Sequence, residues 1–257
     1  NILDKYVHKF VVVESLFSHS GEKKKLNFDI NNYPKFKDKI TYLVIEKEPD
    51  HIINESGLIE NQSIKRKNSI TRINQSYDFM QKGIKDAEPN DLILLSDNDE
   101  IPNLESKQFK NSNKDLFIFK QLFFYYKFNL LYDLMPWFGS KACKKKKLHS
   151  FSWLRNIKNK RYPIWRLDTL FLKNKNINLE IVNNGGWHFT NIKTPSELMI
   201  KMKNFGHHDE FDVSGITLPD IVKKIKDKKV FYNHFVDQSS LDKWDYDYEL
   251  KKIENNF

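Results

Sequence analysis

A run of four large apolar residues followed by an acidic cluster constrains this chain more than any other stretch. Residues 91–102 read Asp-Leu-Ile-Leu-Leu-Ser-Asp-Asn-Asp-Glu-Ile-Pro. Such an apolar run, bounded by polar residues, is typical of a short strand buried on both faces in the middle of a parallel α/β sheet. In these sheets ligands bind beyond the carboxyl ends of the strands. The sequence therefore predicts a ligand site at Asp97, Asp99 and Glu100, with Pro102 ending further pairing of the strand.

The closely spaced carboxylates predict a cation site, because they repel one another unless a cation neutralises them. In extended backbone Asp97 and Asp99 point the same way, about 6–7 Å apart at Cα. They can then address one divalent ion, or one ion and a sugar hydroxyl. The pattern indicates a site for a metal-bound diphosphate. The alternative is an acidic turn that caps a following helix.

Three stretches in a fixed order carry a resemblance to a known family. They are Val-Val-Val-Glu-Ser at residues 11–15, Asp-Asn-Asp-Glu-Ile-Pro at residues 97–102, and Gly-Gly-Trp-His-Phe at residues 185–189 with His-His-Asp-Glu-Phe at residues 207–211. Together they resemble glycosyltransferase family 17, the family of the bisecting β-1,4-mannosyl-glycoprotein N-acetylglucosaminyltransferase. The resemblance implies a GT-A-like α/β fold with a mixed, mainly parallel central sheet flanked by helices. It also implies transfer from a nucleotide sugar, UDP-N-acetylglucosamine by family precedent.

Candidates for donor binding follow from this resemblance and from side-chain chemistry. In GT-A transferases the end of the first strand meets the nucleotide base, so Val13, Glu14 and Ser15 are candidates for that contact. The alternative is that they are ordinary residues at a strand end. Arg166 is a candidate for the diphosphate, because a guanidinium offers bidentate donors to phosphate.

The turn before Trp187 and His188 predicts a further part of the site. Two asparagines and two glycines precede these residues, a composition that favours a tight turn in which the backbone approaches a ligand closely. Trp187 is then a candidate for donor binding and His188 for the metal. An isolated histidine is more often a structural hydrogen-bonding group, and the resemblance favours the functional interpretation. An imidazole among the carboxylates would favour Mn²⁺ over Mg²⁺.

The resemblance implies that the linkage is made with inversion. A carboxylate must then deprotonate the acceptor hydroxyl on the face opposite the leaving group. Glu210 is the first candidate for this base and Asp209 the second, because Asp97 and Asp99 are assigned to the metal.

The length of the chain limits the number of domains, and its net charge indicates what kind of partner it binds. A chain of 257 residues is about the size of one α/β domain, so residues 1–257 are predicted to form a single domain with a helical tail over residues 218–257. The chain does not begin with Met, and the family has a strand before this point, so a short N-terminal piece is expected to be missing. The net charge of +9 favours anionic partners.

The cysteine and lysine content predicts the compartment. Cys143 is the only cysteine, which favours a reducing compartment, so we expect a bacterial or viral enzyme in the cytoplasm. Lys141 and residues 144–147 form the densest basic patch. This patch is either a solvated loop or a peripheral contact with the inner membrane face, where a glycan or lipid-linked saccharide acceptor would be met.

Two other classes of function are compatible with parts of the sequence. A basic chain with interleaved aromatics and lysines is compatible with a non-enzymatic nucleic-acid-binding domain, but no helix-turn-helix, zinc-finger or RNP-like pattern is present, so no nucleic-acid partner is expected. A metal-dependent phosphoesterase would also use clustered aspartates. Such hydrolases normally show several separated metal motifs, whereas this sequence has one acidic cluster.

Several further elements follow from local patterns. Strands are predicted at residues 10–13, 40–46, 116–126 and 177–182, and an amphipathic helix at residues 70–84. Thr194, Pro195 and Glu197 have the form of a helix start. One or two of the aromatic residues Tyr125, Tyr126, Trp137 and Trp153 are predicted to stack on sugar rings, and the remaining aromatics to pack in the core.

Overall fold

The computed structural model describes residues 2–53, 62–160, 162–163, 165, 175, 178–236 and 241–254. The chain divides into two compact units. The first comprises Asn1–Phe10, Gln81–Thr190 and Lys252–Phe257, and the second comprises Val11–Met80 and Asn191–Lys251. The acidic cluster and the Gly-Gly-Trp-His segment belong to the first unit. The residues around Glu14 and Glu210 belong to the second.

The helices and strands are numbered here in chain order over the described residues. The strands are β1 (Phe10–Ser15), β2 (Ile40–Ile45), β3 (Leu92–Leu95), β4 (Glu100–Pro102), β5 (Leu116–Tyr125), β6 (Leu130–Leu131), β7 (Trp137–Lys144), β8 (Leu179–Val182), β9 (Gly186–Thr190) and β10 (Lys251–Lys252). The α-helices are α1 (Gln62–Phe79), α2 (Lys107–Lys110), α3 (Phe151–Arg155), α4 (Pro195–Asn204), α5 (His208–Val213), α6 (Leu218–Lys226) and α7 (Leu241–Trp244). Short 3₁₀ helices occupy Ile30–Asn32, Pro34–Lys39, Met80–Ile84 and Lys145–Lys147.

Strand β5 is the centre of the sheet in the first unit. It pairs antiparallel with β7 and β6, and parallel with β8 and β9. Strand β3 pairs antiparallel with β7, and β4 pairs antiparallel with β9. Aromatic side chains dominate β5, and Phe119, Phe124 and Tyr125 are fully buried. The strand predicted at residues 116–126 is confirmed, and its aromatics form the core because each buries a large apolar area.

The sheet is mixed but mostly antiparallel, so the prediction of a mainly parallel sheet was wrong. The prediction of a central β3 was also wrong, because β3 stands at the end of the strand order among the described residues and pairs with β7. Ile93 and Leu95 are buried, but Leu92 is 40% exposed. A run of four apolar residues does not distinguish a central strand from an end strand whose alternate residues are covered.

The pairing of β4 with β9 bears on two further predictions. Pro102 was expected to end strand pairing, and it is the last residue of β4, opposite Gly186. The two glycines were expected to bring the backbone close to a ligand. Gly186 has a φ of +107°, and a Cβ there would collide with the carbonyl of Ile101, while the N–H of Asn103 donates to the Gly185 carbonyl at 2.9 Å. The glycines therefore bring β9 close to the backbone of β4.

We predict that Gly186→Ala lowers the free energy of unfolding by about 2–3 kcal/mol, because alanine must adopt a positive φ and displace the β4 backbone. Gly215→Ala is the matched control, since Gly215 has a φ of +70° and a Cβ at this position would meet no described atom within 4 Å. The control should lose only about 1 kcal/mol. Urea unfolding of both variants measures the difference. Equal losses would show that the close approach to β4 contributes nothing.

The second unit contains the two-stranded sheet of β1 and β2. Both strands were predicted, and both are confirmed. Helix α1 begins at Gln62, before the predicted start at residue 70, and is followed by the 3₁₀ helix Met80–Ile84. Its buried residues, Ile64, Asn68 and Ser69, all precede the predicted segment, and Ile70 is 41% exposed.

The remaining helices of the second unit are α4 to α7. The predicted start of α4 is confirmed, because the Thr194 hydroxyl accepts the N–H of Glu197 while the Glu197 carboxylate accepts the N–H of Thr194. Helix α4 buries Leu198 and Met202. The predicted tail is helical in α6 and α7 but extended in β10. Helix α5 carries Asp209 and Glu210.

Candidate active site

The acidic cluster lies in the turn that joins β3 to β4. Strand β4 begins at Glu100, whose N–H donates to the Asp97 carbonyl at 3.1 Å. This hydrogen bond closes a turn over residues 97–100, so the extended geometry predicted for Asp97 and Asp99 was wrong. A strand rather than a helix follows the turn, so the alternative of a helix cap was wrong as well.

The two aspartates of the turn contact different partners. Asp97 Oδ2 forms an ion pair with Arg155 Nη2 at 2.9 Å, and Asp99 Oδ1 lies 3.5 Å from His188 Nδ1. The side chains of Asp97 and Asp99 are 33% and 30% exposed, so both reach solvent. A separation of 3.5 Å is at the outer limit of a hydrogen bond. The carboxylate and the imidazole therefore face each other without a strong direct bond.

Glu100 is the buried member of the cluster and supports the turn. Its Oε1 accepts from Trp137 Nε1 at 2.7 Å, and its Oε2 accepts from the N–H of Asp97 at 3.1 Å and the hydroxyl of Ser140 at 3.2 Å. Burial, followed by the negative charge of Asp97, raises the pKa of Glu100 to about 7, against the opposing effects of Trp137 and Arg155. Burial thus favours the neutral form of this carboxyl group.

His188 comes to the cluster through strand pairing. It lies opposite Glu100 across β4 and β9, and only 5% of it is exposed. Its ring stacks on Trp137 with centroids 4.3 Å apart and an interplanar angle of 11°. The pairing thus brings Asp99 and His188 together although they are far apart in the sequence, as their assignment to one site required.

Trp187 points away from the face that carries His188. The two residues are neighbours in β9, and side chains alternate between the faces of a strand. The tryptophan beside the cluster is Trp137 instead. Among the predicted sugar-stacking residues, Tyr125 and Tyr126 are buried and cannot stack on a sugar. No local sequence signal indicated that Trp137 would meet Glu100 and His188.

A comparison with protein families bears on the identity of the whole chain. The profile of glycosyltransferase family 17 matches residues 1–230 of the 257 in the chain. The chain belongs to glycosyltransferase family 17. Searches of curated proteins and of solved structures found no significant match. The predicted family is confirmed, and membership makes the protein a glycosyltransferase with a nucleotide-sugar donor and a glycan acceptor.

In this family 17 transferase, Glu14 organises the loop after β1. Its carboxylate accepts from Lys24 Nζ at 2.7 Å, from Tyr42 Oη at 3.0 Å, and from the N–H groups of Asn27 and Phe28 at 2.8 and 3.0 Å. Burial alone would raise the pKa of Glu14, but these hydrogen bonds lower it. The geometry supports a structural role for this carboxylate.

The other donor-binding candidates have less defined surroundings. Ser15 accepts the N–H of Phe17 at 3.0 Å, and Val13 is half-buried in β1. Arg166 lies outside the described residues. Contact of these residues with the donor stays a prediction.

Glu210 of the transferase is held by two basic side chains. Lys243 Nζ donates to its Oε2 at 2.5 Å, and His207 Nδ1 lies 2.9 Å from its Oε1. The side chains of Glu210 and Lys243 are each 6% exposed. Burial alone would raise the pKa of Glu210, but the hydrogen bonds from Lys243 and His207 lower it. A carboxylate with a lowered pKa is a weaker base, which weighs against Glu210 as the catalytic base.

Asp209 has a different environment from its neighbour. It is 6% exposed, and its Oδ1 has no hydrogen-bond partner among the residues that the structure describes. Buried polar atoms in native proteins nearly always have partners. The exception makes Asp209 the stronger of the two candidates for a catalytic role.

Lys141 does not belong to an exposed basic patch, contrary to the prediction. It is 3% exposed, and its Nζ donates to the carbonyls of Arg155 and Ile157 at 2.6 and 2.8 Å. Burial, followed by the charge of Arg155, lowers the pKa of Lys141 to about 7. The residue instead ties β7 to the end of α3.

The rest of the basic patch contacts neighbouring segments. Lys144 pairs with Asp115 at 2.8 Å, and Lys146 donates to Asn90 Oδ1 at 2.7 Å. Within the described part of the chain, no helix combines the length and apolarity that crossing a membrane requires. Contact of the patch with a membrane surface stays a prediction.

Proposed function

We propose that this family 17 transferase is a GT-A-like, metal-dependent enzyme that transfers a sugar with inversion. The proposed donor is UDP-N-acetylglucosamine, and the acceptor is a saccharide. The observation that carries the proposal is the placement of the Asp99 carboxylate 3.5 Å from the His188 imidazole, beside the ion pair of Asp97 and Arg155. Family membership supports the reaction class, and this geometry supports a diphosphate site at the turn.

The predicted metal ligands were Asp97, Asp99 and His188. Because Asp97 is ion-paired with Arg155, we propose Asp99 and His188 as the protein ligands of a divalent cation. Among the described residues, no group of three or more His, Cys, Asp or Glu is arranged to hold a metal ion. A metal at this turn would therefore depend on ligands from outside the protein, and Mg²⁺ is commonly bound by one or two carboxylates together with substrate phosphates and water. The imidazole favours Mn²⁺. When bound, such an ion neutralises the negative charge that develops on a leaving diphosphate.

Buried side chains hold this ligand pair in position. Trp137 stacks on the His188 ring and donates to Glu100, and Glu100 in turn accepts the backbone N–H of Asp97. Groups that fix the orientation of metal ligands contribute strongly to affinity. Contacts within the protein therefore fix the conformation of the turn and the orientation of the His188 ring.

The acceptor hydroxyl needs a base for inversion. We propose Asp209 for this role in preference to Glu210. The Glu210 carboxylate is ion-paired with Lys243, whereas Asp209 Oδ1 is buried and has no partner among the described residues.

The proposed acceptor belongs to a surface glycan, a polysaccharide or a lipid-linked oligosaccharide assembled in the cytoplasm. The single cysteine, Cys143, is buried in β7 and supports a compartment in which disulfides are not needed. A panel of nucleotide sugars screened for donor hydrolysis tests the choice of donor. Faster turnover of another nucleotide sugar would replace UDP-N-acetylglucosamine in this proposal.

The proposed metal site can be tested by measuring how much Mn²⁺ increases the affinity for UDP. We predict that Mn²⁺ strengthens UDP binding to the wild type at least about tenfold, and that Asp99→Asn removes this gain because the ion loses a ligand. The side chain of Asp99 is 30% exposed, so the unfolding temperature without metal should not change. Titration calorimetry with UDP, in Mn²⁺ and in EDTA, measures the effect.

Asp86→Asn is the matched control for charge. Asp86 lies in the same unit, its side chain is 67% exposed, and it pairs with Lys9. This variant should bind UDP as the wild type does. UDP binding that is equal in Mn²⁺ and EDTA would refute the metal site, and tighter binding of a single-stranded oligonucleotide than of UDP would favour a nucleic-acid-binding protein.

A further inference from the structure

Arg155 is fixed in place by its own short helix. It is the last residue of α3, which buries Phe151 and Leu154 and begins where the Ser150 hydroxyl accepts the N–H of Trp153 at 3.0 Å. The carbonyl of Arg155 accepts from the buried Lys141 Nζ at 2.6 Å. The backbone of Arg155 is thereby held independently of its side chain.

The guanidinium of Arg155 lies between a buried and a partly exposed carboxylate. Nη2 is 2.9 Å from Asp97 Oδ2, and Nη1 is 3.9 Å from Glu100 Oε1. The Glu100 side chain is fully buried, whereas those of Arg155 and Asp97 are 27% and 33% exposed. A ligand arriving from solvent can therefore reach Arg155.

Arg155 already supplies positive charge at the turn where the cation is proposed to bind. A divalent cation close to Asp97 must compete with the guanidinium for that carboxylate and is repelled by it. A diphosphate has the opposite effect, because its negative charge attracts the guanidinium. The planar fork of arginine donors matches phosphate oxygens in a bidentate arrangement.

We propose that Arg155 exchanges partners: it pairs with Asp97 in the ligand-free protein and binds the diphosphate of the donor when metal and nucleotide bind together. This inference rests on the proposed function. It assigns to Arg155 the diphosphate contact that the sequence suggested for Arg166. It also makes Arg155 a source of positive coupling between the cation and the nucleotide, in which each strengthens binding of the other by the same factor.

The exchange predicts that one substitution changes the affinities for Mn²⁺ and for UDP in opposite directions. In Arg155→Gln, Mn²⁺ alone should bind about two- to fivefold more tightly, because the nearby guanidinium no longer repels the cation or pairs with Asp97. UDP in the presence of Mn²⁺ should bind about 10–100-fold more weakly, because charged hydrogen bonds to phosphate are lost. If Arg155 had only a structural role, its replacement would weaken the binding of both ligands or of neither.

Arg155→Lys provides a second variant that keeps the charge. Lysine can still compete for Asp97 but does not offer the bidentate fork. Its affinity for Mn²⁺ alone should match the wild type, while Mn²⁺-dependent UDP binding should fall about 3–10-fold. Lys144→Gln is the control, because Lys144 also forms an ion pair in the first unit but lies opposite Leu92, at the far end of β3.

Circular dichroism first shows that each variant is folded. Titration calorimetry then tests the exchange with four ligands: Mn²⁺ alone, UDP with Mn²⁺, pyrophosphate with Mn²⁺, and uridine. Pyrophosphate should lose affinity in Arg155→Gln as UDP does, whereas uridine should be unaffected. Failure of the wild type to bind UDP with Mn²⁺ would overturn the proposed function. If both Arg155 variants bind Mn²⁺ alone and UDP with Mn²⁺ as tightly as the wild type does, the exchange is overturned and the proposed function is not.

Discussion

Replacing Lys243 with methionine should lower the free energy of unfolding by about 3–5 kcal/mol, the usual scale for removing one partner of a buried ion pair. Lys243 Nζ is 2.5 Å from Glu210 Oε2, and each side chain is 6% exposed. The ammonium also lies 5.4 Å from the ring centroid of Tyr232. Without Lys243, the Glu210 carboxylate stays buried with His207 as its remaining described hydrogen-bond partner.

The double variant Glu210→Met/Lys243→Met distinguishes the contribution of the ion pair to stability from that of side-chain packing. It removes both charges and keeps side chains of similar length, so it should be clearly more stable than Lys243→Met alone. Denaturant unfolding of the wild type and the variants measures the effect. If Lys243→Met unfolds at the wild-type denaturant concentration, the pair does not stabilise the fold.

The same ion pair predicts a dependence of stability on pH. The pKa of Glu210 is lowered in the folded chain from its ordinary value of 4.5, so its contribution is present above that value. The contribution is lost as the pH falls through the folded pKa. Acid should therefore destabilise the wild type more than the double variant. A parallel loss in both would contradict the lowered pKa.

Local sequence signals predicted those elements that local interactions determine. Strands β1, β2 and β5 follow from their β-branched and aromatic residues, and α4 begins where the Thr194 cap indicates. The position of β3 did not follow from its sequence. Its partner β7 lies further along the chain, and an apolar run contains no information about the direction or number of neighbouring strands.

The residues of the candidate site likewise fall into those that local sequence patterns indicated and those that they did not. The sequence could nominate Asp97, Asp99 and His188 for one candidate site, because acidic residues after a strand and a histidine after a Gly-Gly turn are local patterns. It did not identify Trp137 or Arg155 as parts of the same cluster. These residues reach the turn through the pairing of β7 and the packing of α3, which depend on contacts between distant segments.

Asp209→Asn should reduce sugar transfer by about 10²–10⁴-fold, the usual scale for removing a positioned base. Asparagine keeps the shape of the side chain but cannot accept the acceptor proton. UDP binding in Mn²⁺ should match the wild type, because Asp209 is proposed to act on the acceptor. Stability should be unchanged or higher, since a buried charge with an oxygen that lacks a partner among the described residues is replaced by a neutral group.

Glu210→Gln is the matched comparison at the neighbouring position. Its loss should appear in stability, because Lys243 would then be buried without an opposite charge. Rates of UDP release from the donor chosen by the nucleotide-sugar screen, measured well below each variant's unfolding temperature, distinguish the two roles. Full activity in Asp209→Asn together with a folded but inactive Glu210→Gln would assign the base to Glu210, and the ion pair with Lys243 would then have to open during the reaction.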